Sequence, residues 1–298
     1  MKVGVIGVGD MGLPIAGHLI GKQHTVSVYD VNSERAKAGG ERGAAVAGSL
    51  AELARLAEVF VVIVSTDAQS REVTTAICEH AAPGSLVAVA ATNHPETMVA
   101  LKKLCAARGI RFIDAPVVYG ASGAKEGTLL SLCGGDEADV EFARPVLSAY
   151  SSRGVLRVGP VGAGQLAKAC NNLLHWVHCV SNFEALLLAK RYGVDAQRMR
   201  EVLLECPAYN GTLARWDTTR FTWQEKDMDV TMDLAQDAGL VLPLSGQVDQ
   251  LVKLFKADDV AALLYGKEAS YLGVEVTPLP PEKGGLGSWD GKEARTQP

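Results

Sequence analysis

The first half of the chain alternates short, almost continuously apolar segments with longer amphipathic ones. The apolar segments are rich in valine and isoleucine, as is typical of strands covered on both faces; they are 2–6, 25–29, 59–64, 85–91 and 110–117. Helical periodicity marks the segments 11–20, 49–57, 69–80 and 96–108. This alternation predicts a doubly wound parallel sheet, which further strands at 128–133 and 155–158 would complete.

The second half begins with a long segment, 164–192, that lacks proline and internal glycine. As one helix it would be roughly 40 Å long. Its apolar residues lie nearly all round, which predicts a buried helix, the spine of a domain or of a dimer. Further helices are predicted at 196–201, 227–238, 245–256 and 260–271. We therefore expect everything after about residue 159 to be helical up to a flexible tail at 278–298, which is rich in proline, glycine and charge.

Composition limits the possible partners and compartments. The 298 residues are 48% hydrophobic and carry a formal net charge of −5, which favours a globular protein of two domains and gives no reason to expect nucleic acid or an anionic membrane as a partner. None of the six cysteines forms a Cys-x-x-Cys pair. We therefore expect free thiols, no metal site and a cytoplasmic location. No apolar run could span a bilayer and no leader segment is recognisable.

A glycine motif, Gly7-Val8-Gly9-Asp10-Met11-Gly12, follows the first predicted strand and opens the next helix. Gly7 permits a tight turn, Gly9 lets the backbone approach a pyrophosphate, and Gly12 lets the helix pack against the strand. The helix N-terminus offers N–H groups and a partial positive charge to phosphates. The motif predicts dinucleotide binding, with a glycine turn of some other α/β protein as the alternative. The predicted fold class is α/β, a Rossmann-type doubly wound parallel sheet followed by an all-helical domain joined through a long helix.

Asp30 ends the second predicted strand, 18 residues after Gly12. An acidic side chain at this distance accepts hydrogen bonds from the adenosine ribose and repels a 2′-phosphate. The first arginine after it, Arg35, is one helical turn further on. NAD is therefore predicted over NADP. A helix-capping role for Asp30 is the alternative, although Asn32 could equally fill it.

Lys168 lies one turn into the long helix, just after a glycine-rich turn at 159–164. Asn172 is four residues further on, so the two side chains share one helix face. A lysine is costly to bury unless it is paired or functional, and burial or nearby charge can tune its titration for acid–base chemistry. Two interpretations stay open at this point: a catalytic lysine, and a surface lysine whose stem covers apolar surface.

Taken together, the motifs resemble the β-hydroxyacid dehydrogenases, a family that includes 3-hydroxyisobutyrate, tartronate semialdehyde and 6-phosphogluconate dehydrogenases. The resemblance covers residues 1 to about 272. It rests on the glycine motif ending in Met11-Gly12, on Asp114-Ala115-Pro116-Val117 with Gly123-Ala124 and Gly127-Thr128-Leu129, on the Gly/Lys/Asn segment, and on Lys226-Asp227.

The resemblance implies hydride transfer between NAD and a small hydroxyl/carbonyl substrate, with Lys168 as acid/base and Asn172 orienting the substrate or the lysine. The cofactor would contact Gly7, Gly9, Asp10, Met11, Gly12, Asp30, Val64, Ser65, Thr92 and Lys226. The implied assembly is a homodimer or homotetramer. The corresponding domains would be 1–160 for the dinucleotide, 161–277 for substrate and dimerisation, and the tail at 278–298.

The substrate loop departs from the family's Asp-Ala-Pro-Val-Ser-Gly-Gly, because Val118 and Tyr119 replace Ser-Gly and only Gly120 remains. In the family this serine and the following N–H groups bind the substrate carboxylate, so we predict a site that is larger or less anionic. His94, His175 or Arg220 could restore an anion contact. The predicted substrate residues are Val118, Tyr119, Gly120, His94, His175 and Asp227.

Three alternatives stay open. For His175, a hydrogen-bonded core histidine competes with a substrate contact. For the function, one alternative is an imine reductase on the same scaffold, and the other is a non-catalytic dinucleotide-binding protein. Imine reductases typically lack lysine at the position of Lys168, and the combination of Lys168, Asn172 and Lys226 argues against a non-catalytic role.

Overall fold

The computed structural model describes residues 1–219, 221–266 and 269–286. The chain divides into two compact units, Met1–Lys168 and Ala169–Pro298. The division falls inside the long helix, eight residues after the predicted domain boundary at 160. Arg220, a predicted candidate for an anion contact, and residues 287–298 of the predicted tail lie outside the described residues.

The first unit is built on a nine-stranded sheet. Its strands are β1 Lys2–Ile6, β2 Thr25–Tyr29, β3 Ala45–Val46, β4 Val59–Val62, β5 Leu86–Val89, β6 Arg111–Asp114, β7 Val117–Val118, β8 Leu130–Gly134 and β9 Gly154–Gly159. The spatial order is β3-β2-β1-β4-β5-β6-β8, with β7 and β9 each also pairing with β8. The first six are parallel, so their carboxyl ends meet at one edge. This confirms the predicted doubly wound sheet.

The helices of this unit follow the strands in alternation. They are α1 Gly12–Gly21, α2 Ser33–Glu41, α3 Leu50–Leu56, α4 Asp67–His80, α5 Pro95–Ala106, α6 Gly120–Glu126, α7 Glu137–Leu147 and the start of α8 Ala163–Arg191. Side chains just before several helices set their first residues. Ser49 accepts a hydrogen bond from the Glu52 N–H, and Thr66 forms a capping box with Gln69. Pro95 occupies the first turn of α5, where its missing N–H costs nothing.

Strand alternation divides the core of the first unit between the two faces of the sheet. In β4, Val59 and Val61 belong to one buried cluster, whereas Phe60 and Val62 belong to the other. Since both faces are covered by helices, every residue of this strand is buried. This is why the strands of the sequence are almost continuously apolar.

Several elements of the first unit were not predicted: α2, α6, α7 and β3. Helix α2 contains two glycines in nine residues, which weakens any helical pattern. Gly39 is nevertheless required there, because a Cβ would lie 2.8 Å from Cγ2 of Val28. The predicted strand at 110–117 is divided into β6 and β7 at Ala115-Pro116, where proline has no N–H to give to a ladder.

The second unit is mainly helical. After α8 it contains α9 Ala196–Leu204, α10 Gly211–Ala214, α11 Gln224–Asp237, α12 Pro243–Val252, α13 Ala257–Tyr265, the 3-10 turns Trp216–Thr218 and Pro281–Lys283, and a hairpin of β10 Ala269–Tyr271 with β11 Val274–Val276. The expectation that everything after residue 159 is helical was therefore wrong at the hairpin. The ring of Tyr271 packs 5.4 Å from Phe183 and 5.9 Å from Phe255, which anchors the hairpin to the core.

A buried lysine closes the end of α13. The ammonium Nζ of Lys190 donates to the carbonyl oxygens of Ala262, Leu263 and Gly266 at 3.2, 3.0 and 2.5 Å. All three carbonyls lie at the carboxyl end of the helix, where acceptors run short of backbone donors, and that of Ala262 also accepts from the Gly266 N–H at 3.0 Å. Burial lowers the pKa of the Lys190 ammonium, and the three carbonyl dipoles favour its charged form. Lys190 therefore ties α8 to α13 within the second unit.

Helix α8 was predicted to be buried as the spine of a domain or of a dimer, and within one chain part of its apolar surface is exposed. Leu166, Leu174 and Leu188 are 50%, 57% and 61% exposed, and they lie on a stripe that a repeat of seven to eight residues keeps on one face. At its far end, the N–H of Leu279 donates to the Arg191 carbonyl at 2.7 Å. The described part of the predicted tail is thus joined to the end of α8. None of the described helices combines the length and apolarity needed to cross a membrane.

Candidate functional site

Two glycines of the motif after β1 are required by the fold itself. Gly7 has φ +87°, and a Cβ there would lie 2.2 Å from the Ile63 carbonyl oxygen. A Cβ on Gly12 would lie 1.8 Å from the Gly7 carbonyl oxygen. Gly9 is different, because the nearest atom to a Cβ placed on it would be Nη1 of Arg35 at 3.6 Å, an ordinary contact. The protein does not need a glycine at residue 9, whereas a pyrophosphate approaching the backbone does.

The carboxylate of Asp30 joins this loop to the end of β2. Its Oδ2 accepts from the N–H of Val8 at 2.9 Å, and its Oδ1 accepts from the N–H of Asn32 at 2.8 Å. Helix α2 is capped by another residue, Asn32, whose Oδ1 accepts from the Glu34 and Arg35 N–H groups. The capping alternative for Asp30 is therefore excluded. Each carboxylate oxygen keeps further acceptor capacity for ribose hydroxyls.

A cleft of about 760 Å³ runs from this loop between α1 and α2. Its cationic lining consists of Arg35, Arg42 and Lys125, with His18 beside them. Arg35, which the sequence places a full turn after Asp30, reaches back to Gly9. A cation therefore lies close to the predicted adenosine end of the cofactor.

A buried aspartate holds the start of α8 to the end of β6. Oδ1 of Asp114 accepts from the Gly162 N–H at 2.7 Å, and Oδ2 accepts from the Gln165 N–H at 2.9 Å. The carboxylate needs two glycines around it, because a Cβ on Gly134 or Gly164 would lie 2.4 or 2.7 Å from its oxygens. Burial raises the pKa of Asp114 to about 6, and the backbone N–H groups offset part of that rise.

The loop after β5 is tied to the same helix. The Gln165 side chain accepts from the Asn93 N–H at 2.9 Å and donates to the Ala91 carbonyl at 2.8 Å. On the other side of the loop, Asp67 accepts from the Asn93 amide at 2.8 Å and from the His94 N–H at 3.1 Å. Three neighbouring strand ends and the start of α8 are thus linked by one polar network.

This network was not predicted from the sequence. Asp114 was identified only as the start of a motif, and no role was assigned to Gln165, Asn93 or Asp67. The partners Asp114 and Gln165 are 51 residues apart, and no spacing rule connects residues that meet only because parallel strands end at one edge. The sequence signal that could have indicated the network was the presence of Gln165 and Asp114 in otherwise apolar segments, because buried polar side chains need hydrogen-bond partners.

Three of the predicted cofactor residues lie in the loops after β4 and β5. Thr92 is half-buried in the loop after β5, between Ala91 and Asn93, which both bond to Gln165. Val64 and Ser65 follow β4, and the Ser65 N–H donates to Oε1 of Gln69 at 2.9 Å. His94 caps α5, with Nδ1 3.4 Å from the Glu96 nitrogen. His94 is therefore the N-cap residue of α5, and one of its ring nitrogens faces the helix backbone.

Lys168 lies three residues after Gln165 and is half-buried. Asn172, one turn further along α8, is buried, and its Oδ1 accepts from the Asn171 amide at 3.2 Å. The two predicted residues therefore share one face of one helix. The anchoring of α8 by Asp114 and Gln165 holds Lys168 at the carboxyl edge of the parallel sheet.

The substrate loop keeps a glycine-like backbone despite its side chains. Tyr119 has φ +84°, a left-handed conformation that costs a non-glycine residue about 1–2 kcal/mol. Its ring lies under Arg153, with the guanidinium carbon 4.1 Å from the ring centroid. Val118 before it is buried, and Gly120 after it, with φ +61°, begins α6. The Tyr119 ring thus packs within the first unit.

The remaining predicted residues belong to the second unit. Nδ1 of His175 lies 2.9 Å from Oγ1 of Thr212, which favours the alternative of a hydrogen-bonded core histidine. Oδ2 of Asp227 accepts from Nε1 of Trp176 at 3.2 Å. Lys226 precedes it in the first turn of α11 and is half-buried. Within the described ranges, no three His, Cys, Asp or Glu side chains are grouped so as to hold a metal ion.

Comparison with known proteins agrees with this geometry. Residues 2–159 match the NAD binding domain of 6-phosphogluconate dehydrogenase, and residues 162–263 match the NAD-binding domain of NADP-dependent 3-hydroxyisobutyrate dehydrogenase. A probable 3-hydroxyisobutyrate dehydrogenase of Mycobacterium bovis is 29% identical over 86% of this chain and 92% of its own. An NAD-dependent L-serine dehydrogenase of Pseudomonas aeruginosa is 31% identical over 71% of this chain and 72% of its own.

Solved structures give the same result. The 3-hydroxyisobutyrate dehydrogenase of Mycobacterium tuberculosis, solved with L-serine, has a TM-score of 0.80 and 27% identity over 88% of this chain and 97% of its own. Several solved imine reductases have TM-scores of 0.59 to 0.64 at only 16% to 20% identity, which shows a shared fold alone. The chain belongs to the β-hydroxyacid dehydrogenase family and is an oxidoreductase acting on a hydroxyl/carbonyl pair.

Proposed function

We propose that this dehydrogenase prefers NAD and uses Lys168 as its acid/base. One observation carries the proposal: the helix that bears Lys168 is anchored by Asp114 at the sheet edge where the glycine loop also ends. Ligands of doubly wound sheets bind at this edge. The proposed division of labour follows the predicted ranges, with 1–160 binding the dinucleotide and 161–277 contributing to the substrate site and the dimer.

The chain's own groups perform three tasks. The N–H groups at Asp10, Met11 and Gly12 face the pyrophosphate at the start of α1. When bound, the nicotinamide supplies the acceptor or donor of the hydride. The Lys168 amine takes the hydroxyl proton during oxidation and returns it during reduction. The Asn172 amide orients the substrate oxygen or the lysine.

The NAD preference rests on the Asp30 carboxylate, whose remaining lone pairs suit two ribose hydroxyls and repel a 2′-phosphate. Arg35, near Gly9, is proposed to pair with the 2′-phosphate of NADP, so the enzyme should keep a lower, measurable activity with NADP. Val64, Ser65, Thr92 and Lys226 are proposed as the other cofactor contacts.

The substrate of this chain is proposed to be larger or less anionic than the short hydroxy acids in the names of its relatives. Val118 is the main support, because it is buried and has no hydroxyl for a carboxylate. Tyr119 keeps the left-handed backbone of a glycine, and its ring is held under Arg153. Tyr119 therefore adds a ring beside the loop while the loop keeps a glycine-like backbone.

A homodimer or homotetramer in the cytoplasm completes the proposal. The exposed leucines of α8 form an apolar stripe of the kind that a second helix covers. All six cysteines are free thiols, as in a reducing compartment.

A substrate screen tests the proposed function. The purified protein is assayed with NAD and with NADP, against short hydroxy acids such as 3-hydroxyisobutyrate and L-serine and against bulkier neutral or aromatic alcohols and aldehydes. Higher kcat/KM with NAD and with the bulkier compounds is expected. A preference for NADP would overturn the assignment of Asp30, and a preference for the short acids would overturn the assignment of the substrate loop.

A further inference from the structure

Gln165 is buried, with 1% of its surface exposed, and both ends of its side-chain amide are used. Oε1 accepts from the Asn93 N–H at 2.9 Å, and Nε2 donates to the Ala91 carbonyl at 2.8 Å. Both partners are backbone atoms of one loop, and Thr92 lies between them. The side chain therefore holds the loop by its main chain on both sides of Thr92.

The backbone at the start of α8, where Gln165 lies, is also held by hydrogen bonds. The Gln165 N–H donates to Oδ2 of Asp114, and the Gly162 N–H donates to Oδ1. These two bonds satisfy backbone N–H groups at the N-terminus of α8, and the Gln165 side chain takes no part in them. The amide of Gln165 is thus not needed to cap the helix, and it joins the capped helix to a loop of a different strand.

The loop is also held from its far side, so it cannot follow a displaced helix. The Asn93 side chain donates to Oδ1 of Asp67 at 2.8 Å and accepts from Oγ of Ser70 at 3.0 Å. The His94 N–H donates to Oδ2 of Asp67 at 3.1 Å. Gln165 bonds this α4-supported loop directly to the first turn of α8.

We propose that Gln165 is a positioning residue of the reaction: it sets the position of Lys168, three residues later on the same helix, relative to the loop of Thr92. The inference rests on the proposed function, in which Lys168 exchanges the substrate proton and Thr92 lies near the nicotinamide. A displacement of about 1 Å between reacting groups can cost on the order of 100-fold in rate. Loss of the Gln165 bonds should therefore lower kcat while the dinucleotide contacts near Gly9 and Asp30 stay intact.

The first test replaces the amide by an apolar side chain of similar length, Gln165→Met. We expect kcat to fall on the order of 10- to 100-fold, with the Kd of NAD, measured by quenching of protein fluorescence, changed by less than about threefold. Ser151→Ala is the matched control, because it removes another buried hydrogen bond of the first unit, the 2.8 Å bond to Ser131. This variant should lower Tm by a similar amount and keep the wild-type kcat.

The second test gives a signature that a merely structural residue would not produce. In Gln165→Glu, the ionised carboxylate can accept from the Asn93 N–H but faces the Ala91 carbonyl without a donor. The protonated carboxyl has one O–H and one acceptor oxygen, so it replaces both amide bonds. The ratio of the kcat of Gln165→Glu to that of the wild type should rise as pH falls, and the same ratio for Gln165→Met should stay flat.

The outcomes separate this inference from the proposed function. If Lys168→Ala abolishes turnover while Gln165→Met keeps the wild-type kcat, the positioning role is wrong and the function stands. If Lys168→Ala turns over normally, the proposed function itself fails. A kcat loss in Gln165→Met that only tracks the loss of folded protein, or a flat pH ratio for Gln165→Glu, would also overturn the positioning role.

Discussion

The carboxylate of Asp114 lies 2.7 Å from the backbone nitrogen of Gly162, entirely buried at the start of the helix that carries Lys168. The N–H groups around this carboxylate favour its charge, whereas burial disfavours it more strongly. The pKa of Asp114 is consequently raised to about 6 from its ordinary value of 3.8. The carboxyl group that links β6 to α8 therefore titrates at a higher pH in the folded protein than in the unfolded chain.

The first prediction concerns stability and pH. Because folding raises the pKa of Asp114, its contribution to stability is greatest below about pH 3.8 and is lost as pH rises through 6. The free energy of unfolding of the wild type minus that of Asp114→Asn should fall by up to about 3 kcal/mol between pH 4 and 7, since one pKa unit corresponds to about 1.4 kcal/mol. Urea unfolding of both proteins across this range measures the difference. Parallel curves would contradict the prediction.

The second prediction concerns the acid/base. Lys168→Ala should lower kcat by about two to four decades, and Lys168→Arg should fail as well, because a guanidinium does not deprotonate in this range. Steady-state kinetics and NAD titration give both quantities, and the Kd of NAD should stay near the wild-type value. Asn172→Ala should act in the same direction but more weakly. Turnover near normal in either Lys168 variant would remove that residue from the mechanism.

The third prediction concerns cofactor choice. Asp30→Asn keeps one acceptor oxygen but loses the charge, so kcat/KM should fall with NAD and the gap to NADP should narrow. Arg35→Ala should lower kcat/KM with NADP more than with NAD, because Arg35 lines the cleft together with Asn32, near Asp30, where only NADP carries a 2′-phosphate. Paired assays with both cofactors check each variant. Equal losses with NAD and NADP would show that both residues act only on the fold of the loop.

The fourth prediction concerns the substrate loop. The double variant Val118→Ser/Tyr119→Gly restores a hydroxyl and a glycine where short-acid dehydrogenases of the family carry them, so kcat/KM for short hydroxy acids should rise. Activity on bulky neutral substrates should fall in parallel. Arg153→Ala serves as the control, because it removes the cation above the Tyr119 ring and leaves the loop sequence intact. If the double variant gains nothing on short acids, this loop is not the specificity element.

The fifth prediction concerns the second unit. Lys190→Met keeps the length of the side chain but removes the ammonium that donates to the Ala262, Leu263 and Gly266 carbonyls, of which Ala262 keeps its bond from the Gly266 N–H. A buried acceptor that loses its partner lowers the free energy of unfolding by about 1–3 kcal/mol. The Tm should therefore fall by several degrees. Lys253→Met, which removes an exposed ammonium paired with Asp249, should leave Tm almost unchanged. Calorimetry distinguishes the two, and equal Tm values would show that the cap contributes nothing.

The local elements of the first unit could be predicted because their causes are local. The continuous apolar run of β4, the cap at Ser49 and the glycine spacing after β1 all involve residues that are near each other in the chain. The same holds for Lys168 and Asn172, which one helix turn brings onto one face. Helix α2 could not be predicted, since its glycine at 39 satisfies a contact with Val28 on another element.

The sequence by itself therefore determined the sheet, the dinucleotide loop and the candidate catalytic helix, because hydrophobic period and glycine spacing act over a few residues. Tertiary structure alone decided the network in which Gln165 meets Asn93 and Asp114, 72 and 51 residues away. It also decided that His175 bonds to Thr212 and that Tyr119 packs under Arg153. The physical reason is that a polar side chain has many possible partners in sequence, and only the meeting of strand ends and helix faces selects one.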